Sequence, residues 1–279
     1  EIRIKFCNFA SSIYCVLIKK KEFMPNQKIL YVTTEMFPYQ EDSNMATMVS
    51  KMALRMHQEG NDVRVFMPRF GQISERKFQL HEVIRLSGMN IIINDLDQPL
   101  IIKVASLPGE RLQVYFIDNE EYFKRKQYYV DEQGVPFDDN NERAIFFARG
   151  VIETIKKLNW VPDVIHLNGW MASFIPIYLK TFYKTDSYFN DSKMVLSVYN
   201  EPDEALSETT EQIMKFDNIT SLKAFNKPSF QNFVIESMDL VDLVLKGDEF
   251  LQEDLDKAFE KTKTKKSEYL DADTIDKLY

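Results

Sequence analysis

Residues 28–68 read KILYVTTEMFPYQEDSNMATMVSKMALRMHQEGNDVRVFMP, and the change of period along this stretch decides the fold. KILYVTT (28–34) is a short β-branched and aromatic run, which predicts a strand ending at a Pro-containing loop. Met45, Met48, Met52 and Met56 then recur at helical spacing, and Gly60 offers the helix a C-terminal stop. DVRVFMP (62–68) alternates apolar and polar positions before Pro68. Strand, loop, helix and strand make a βαβ unit, which implies a parallel sheet with a right-handed crossover. The Met stripe is read as core filler, because the unbranched thioether packs irregular gaps.

Working outward, residues 80–118 hold apolar runs at Val83–Leu86, Asn90–Ile93, Leu100–Ala105 and Leu112–Ile117, separated by Gly or Pro. That spacing predicts antiparallel strands and hairpins at the sheet's periphery. Tyr122, Phe123, Tyr128 and Tyr129 mark an aromatic loop. A helix with Ile145, Ala148, Ile152 and Ile155 on one face follows, with Asp138 to Asn141 available for capping. DVIHL (163–167), MVLSVYN (194–200) and LVDLVL (240–245) read as further strands, with a helix containing Trp170 to Leu179 after the first of them. The expected fold class is α/β: one doubly wound domain with a mostly parallel sheet and peripheral hairpins.

The expected domain lies between two flanks. Residues 1–23 hold a short apolar run followed by Lys19 to Lys21, before Met24 and the first clean strand. The run is shorter than the roughly 20 residues of a membrane span, and its charges fall on the wrong side for a signal peptide. It is read as an extension or misplaced start. Residues 24–259 are taken as the domain and 260–279 as a charged tail, a solvated helix or frayed end.

Charge and chemistry narrow the function. The chain has 279 residues, a formal net charge of −8 and no basic stripe, which argues against a nucleic-acid partner. Its two cysteines, Cys7 and Cys15, provide neither a disulfide framework nor a zinc site in the body, and fit a cytoplasmic protein. No membrane association, cofactor or metal is expected. Eight glycines serve the whole chain, and the loop after the first strand contains none. A phosphate-cradling loop needs glycine for close backbone approach, and here Glu41 and Asp42 stand instead. These carboxylates suit the first helix as dipole partners and would repel a diphosphate.

Several motifs in one order carry a resemblance. Residues 28–70, then VYFIDNEEYFKRKQYY with FDDNNERAIFFARGVIE, then WVPDVIHLNGWMASFIPIYLK, and last MVLSVYNEPDE resemble the N-terminal half of bacterial glycogen synthases and plant starch synthases. The match runs from about Lys28 to Asn200 and weakly to Phe250. The resemblance implies the N-terminal half of a two-domain glycosyltransferase B fold. It also implies retaining transfer of glucose from ADP-glucose to the non-reducing end of an α-1,4-glucan. In that family a second Rossmann-type domain supplies most nucleotide contacts and a catalytic Glu. The chain ends before such a domain could fit, so half the active site is expected to be missing or supplied by a second protein.

The resemblance also locates departures. The family's phosphate-facing Lys falls on Glu41 and its two Gly on Ser43 and Asn44. Its His-Asp-Trp-His stretch falls on Asn168, Gly169, Trp170 and Met171, and its strand-end His on Tyr199. Glu41 and Asn168 are therefore degenerate positions. Asp139, Trp170 and Asn200 survive as candidate sugar contacts: Asp139 has helix capping and Trp170 core packing as structural alternatives, while Asn200 stands at a strand's carboxyl end, where ligands bind in open α/β sheets. His166 reads as a core imidazole, and Arg143 as an ion-pairing partner. Glu35, Ser43, Asp139, Asn168 and Asn200 are expected around one cleft. Two functions stay open: a degenerate synthase half, inactive alone, or a non-catalytic module that binds α-glucan or a protein of glycogen metabolism.

Overall fold

The computed structural model describes residues 27–40 and 43–270. Residues 1–26, among them the expected extension 1–23, together with Glu41, Asp42 and the last nine residues, lie outside this description. The chain opens with β1 (Lys28–Thr33), α1 (Asn44–Gln58) and β2 (Asp62–Pro68), with β1 and β2 parallel as the period change predicts. Ser43 caps α1, accepting the Ala46 amide at 2.9 Å, and all four methionines of the stripe are buried. The helix stops at Gln58, and Gly60 takes the left-handed turn that follows.

The next segment carries α2 (Glu75–Phe78), β3 (His81–Glu82), β4 (Met89–Ile93), β5 (Leu96–Ser106) and β6 (Gln113–Asp118). β4 and β5 form the expected hairpin, turned by Asn94 and Asp95 in the left-handed region. Two expectations need correction. Val83–Leu86 is a turn rather than a strand, closed by the Leu86 amide on the Val83 carbonyl at 2.8 Å. β6 is not peripheral: it lies parallel to β2 inside the main sheet, with β5 antiparallel on its far side. A strand buried on both faces gives the same apolar run whichever way its neighbour points.

Then come α3 (Glu120–Phe123), α4 (Asn140–Lys157), β7 (Val164–Asn168), α5 (Phe174–Lys180) and β8 (Lys193–Val198). The helix expected to start at Trp170 begins as a 3₁₀ turn, Trp170–Ser173, before α5. The chain closes with α6 (Thr210–Phe216), α7 (Phe230–Met238), β9 (Leu243–Lys246), α8 (Glu253–Lys261) and β10 (Lys265–Ser267). Of the expected tail, Glu260 and Lys261 lie inside α8 and Lys265–Ser267 form an edge strand parallel to β9, while residues 271–279 lie outside the described residues. The strand order is β10-β9-β8-β7-β1-β2-β6-β5-β3. Connections from β1 run one way and those from β7 the other, so the order reverses between β1 and β7. In open α/β sheets the crevice beyond the strand ends at such a reversal is where ligands bind.

Candidate binding cleft at the reversal of strand order

β1 and β7 end side by side, with Thr33 paired to Asn168. Just beyond, Gly169 has φ of +86°, and a Cβ there would fall 2.2 Å from the Thr34 hydroxyl. The two strands therefore close on each other at a contact that only glycine permits. Asn168 is fully buried: its Nδ2 donates to the carbonyls of His166 and Val32 at 3.3 and 3.4 Å, and its Oδ1 accepts from the Tyr199 hydroxyl at 3.4 Å. It laces three strand ends together. His166 is a core imidazole, 2.7 Å from the Ser197 hydroxyl, and burial holds its pKa down at about 3.

Around this closure stand two carboxyl groups. Glu35 follows β1, is half-buried and hydrogen-bonds with Ser43; burial raises its pKa and the Ser43 bond opposes the rise. Glu201 follows Asn200 beyond β8. Burial pushes its pKa up to about 8, the nearby Glu35 adds to the rise, and the Trp170 backbone N–H opposes it. Glu201 Oε1 is sealed from solvent and has no hydrogen-bond partner among the described residues. The Tyr129 hydroxyl, also sealed, faces the Thr34 hydroxyl outside hydrogen-bonding geometry. Its pKa is raised by burial and then by Glu201 and Glu35. Tyr128 and Tyr129 of the aromatic loop are half-buried, each ring edge-on to Phe70.

The sequence-derived candidates fall as follows. Trp170 is fully buried, its indole stacked on Phe230 at 3.7 Å and edge-on to Tyr129 at 5.4 Å; Nε1 has no partner. Both ring faces are thus shielded or flanked by protein. Asp139 sits at the N-cap position of α4 but makes no side-chain cap; its carboxylate instead takes Arg125, with Nη1 to Oδ1 at 2.6 Å. A full guanidinium is a stronger partner than one helix amide. Arg143 is fully buried, donating to the Tyr122 carbonyl at 2.7 Å and Asn140 Oδ1 at 2.6 Å, among the rings of Phe70, Phe123 and Phe137. Burial lowers its pKa to about 10, and Nη2 has no partner. It is not the ion-pairing residue expected: its bonds run to neutral oxygens. Asn200 uses its amide to hold the loop after β9, donating to the Phe250 carbonyl at 2.6 Å and accepting the Gln252 amide at 2.7 Å.

Glu35, Ser43, Asn168 and Asn200 all lie at the carboxyl ends of β1, β7 and β8 or at the start of α1. Asp139 lies instead at the N-terminus of α4, paired with Arg125. Glu41, the degenerate phosphate position, lies outside the described residues. Sequence reading missed Glu201 and Tyr129 as cleft groups. Glu201 could have been found as the residue next to Asn200 beyond a buried strand. No group of His, Cys, Asp or Glu among the described residues could hold a metal ion, and no described helix is long and apolar enough to cross a membrane.

Comparison with known proteins adds family context. The family described as starch synthase catalytic domain matches residues 28–243. A glycogen synthase from Chlorobium limicola is 41% identical over 176 residues, which cover 63% of this chain and 36% of the relative. Glycogen synthases from Chlorobium luteolum and Pelodictyon phaeoclathratiforme are 40% and 38% identical over the same length. The matched stretch thus spans about a third of these relatives. The catalytic domain of starch synthase IV from Arabidopsis thaliana, solved with ADP and acarbose, superposes with a TM-score of 0.62 at 15% identity. That superposition covers 79% of this chain and 44% of the other, and it establishes the shared fold.

Proposed function

The chain belongs to the starch synthase catalytic domain family, and from that premise we propose that its cleft is a glucan-binding half-site of glycogen and starch synthase type. In this reading the chain by itself neither binds ADP-glucose nor transfers glucose, and it works in the cytoplasm. One observation carries the proposal: the polar atoms of the cleft that lack partners belong to groups suited to neutral hydroxyls. Glu201 is largely protonated near neutral pH, so its carboxyl group both donates and accepts. Tyr129 offers a second hydroxyl of the same kind.

Sugar hydroxyls can satisfy such groups, and a buried polar atom left unpaired costs about 1–3 kcal/mol. A diphosphate would instead need cations. Arg143 is enclosed by aromatic rings, Arg125 is neutralised by Asp139, and Lys246 at the end of β9 is paired with Asp256 and Glu268. Calorimetric titration of the chain with maltoheptaose and, separately, with ADP-glucose tests the proposal. Heat with the glucan and none with the donor is expected. Donor binding would instead favour an enzyme completed by a nucleotide-binding partner. Silence with both would sink the glucan reading.

A further inference from the structure

The start of α1 is where this fold would ordinarily receive an anion. It follows the first strand, opens onto the ligand-binding edge, and carries the partial positive charge of a helix N-terminus. Within α1 itself the first turn holds no acidic side chain. A carboxylate from far along the chain stands instead beside the side chain of Asn44, the helix's first residue. Asp248 Oδ1 accepts from Asn44 Nδ2 at 2.6 Å, and its Oδ2 accepts the Asn200 amide at 2.7 Å.

The loop that delivers this carboxylate is pinned on both sides. The Gly247 carbonyl accepts from Asn44 at 3.0 Å, and the Gly247 amide donates to the Val198 carbonyl at 2.8 Å. The Asn200 side chain holds the Phe250 carbonyl and the Gln252 amide. Gly247 lies so close to Tyr199 that a Cβ would fall 2.5 Å from its ring. The loop is therefore seated against the end of β8 at a contact only glycine allows.

We propose that residues 247–252 form a latch whose Asp248 is a built-in anion, closing the α1 end of the cleft to phosphate-bearing ligands. That the cleft is thereby left to neutral carbohydrate rests on the glucan reading above. The latch itself does not. A phosphate arriving at α1 meets a carboxylate and two already occupied N–H donors, so attraction becomes repulsion.

The test is calorimetric titration of the full chain and its Asp248→Asn variant with pyrophosphate, and of both with maltoheptaose. The carboxamide keeps the shape and an acceptor oxygen but removes the charge. Pyrophosphate is expected to bind the variant about tenfold more tightly than the parent, the size of one like-charge contact largely screened by water. Equal affinity of the two proteins overturns the latch. Should the variant fail to fold, Asn200→Ala unpins the loop and keeps every charge. It should raise amide exchange across 247–252 and pyrophosphate affinity together, and faster exchange alone overturns the proposal. Pyrophosphate gain with maltoheptaose silence sinks the glucan reading and leaves the latch standing.

Discussion

Two sides of one sheet edge can be compared directly. On the β8–β9 side, Asn44, Asn200 and Asp248 spend their polar atoms on one another and on loop backbone. On the β1–β7 side, Glu201, Trp170 and Arg143 each keep a buried polar atom without a partner. Native interiors hydrogen-bond nearly all buried polar groups, so exceptions that cluster call for a reason. The satisfied side behaves as architecture. The unsatisfied side has the character of a site prepared for something that brings its own donors and acceptors.

The hardest blow to this contrast would come from Trp170, which stands on the unsatisfied side yet is packed like core. Trp170→Ala should cost about 3–5 kcal/mol of unfolding free energy in a denaturant titration, as for other buried aromatic truncations. Trp170→Phe keeps the stack on Phe230 and removes only Nε1. It should retain most of the stability, so any loss of maltoheptaose affinity in that variant assigns the indole N–H to the ligand. Unchanged affinity would make Trp170 a packing residue alone and shrink the unsatisfied side to Glu201, Arg143 and Tyr129.

How much of this was legible in the sequence follows from where the information lies. The unit β1-α1-β2 was readable because its period changes from strand to helix and back within about forty residues, and the buried methionines mark the helix face. β6 was misplaced because full burial erases the alternation that would mark an edge. β10 was invisible because Lys265, Lys266 and Ser267 carry no apolar pattern; the strand exists through backbone pairing to β9. In the cleft, Asn168 and Asn200 were found because strand ends are readable, but their bonding was not. Asp248 reaches Asn44 across 204 residues of sequence, and no local pattern announces such a contact. Asp139 looked like a cap because its competitor, Arg125, stands 14 residues away in an irregular loop.

The satisfied side has its own test. Asn200→Ala removes two side-chain bonds at the loop, and each such bond contributes roughly 0.5–1.5 kcal/mol. A loss of about 1–2 kcal/mol is expected in the same denaturant titration, with maltoheptaose affinity unchanged. Lost glucan affinity at preserved stability would move Asn200 from architecture to ligand contact and dissolve the boundary drawn here.

Proton linkage separates the two sides in a different way. Glu201 has its pKa raised in the folded chain to about 8, while the unfolded chain titrates near the ordinary carboxylate value of 4.5. Below the lower value both states are protonated and burial of the neutral acid costs nothing extra. Between the two values the unfolded chain loses its proton while the folded chain keeps it, so stability falls as pH rises through this window. Above about 8 the loss levels off. Glu201→Gln removes the titration and retains the shape, so its melting temperature relative to the parent should rise steadily between pH 4.5 and 8. Glu35, raised in the same direction, contributes to both proteins and largely cancels in the difference. A pH-independent difference would show that Glu201 is solvated as freely as a surface carboxylate. The unsatisfied side would then have lost the group that distinguishes it from the latch.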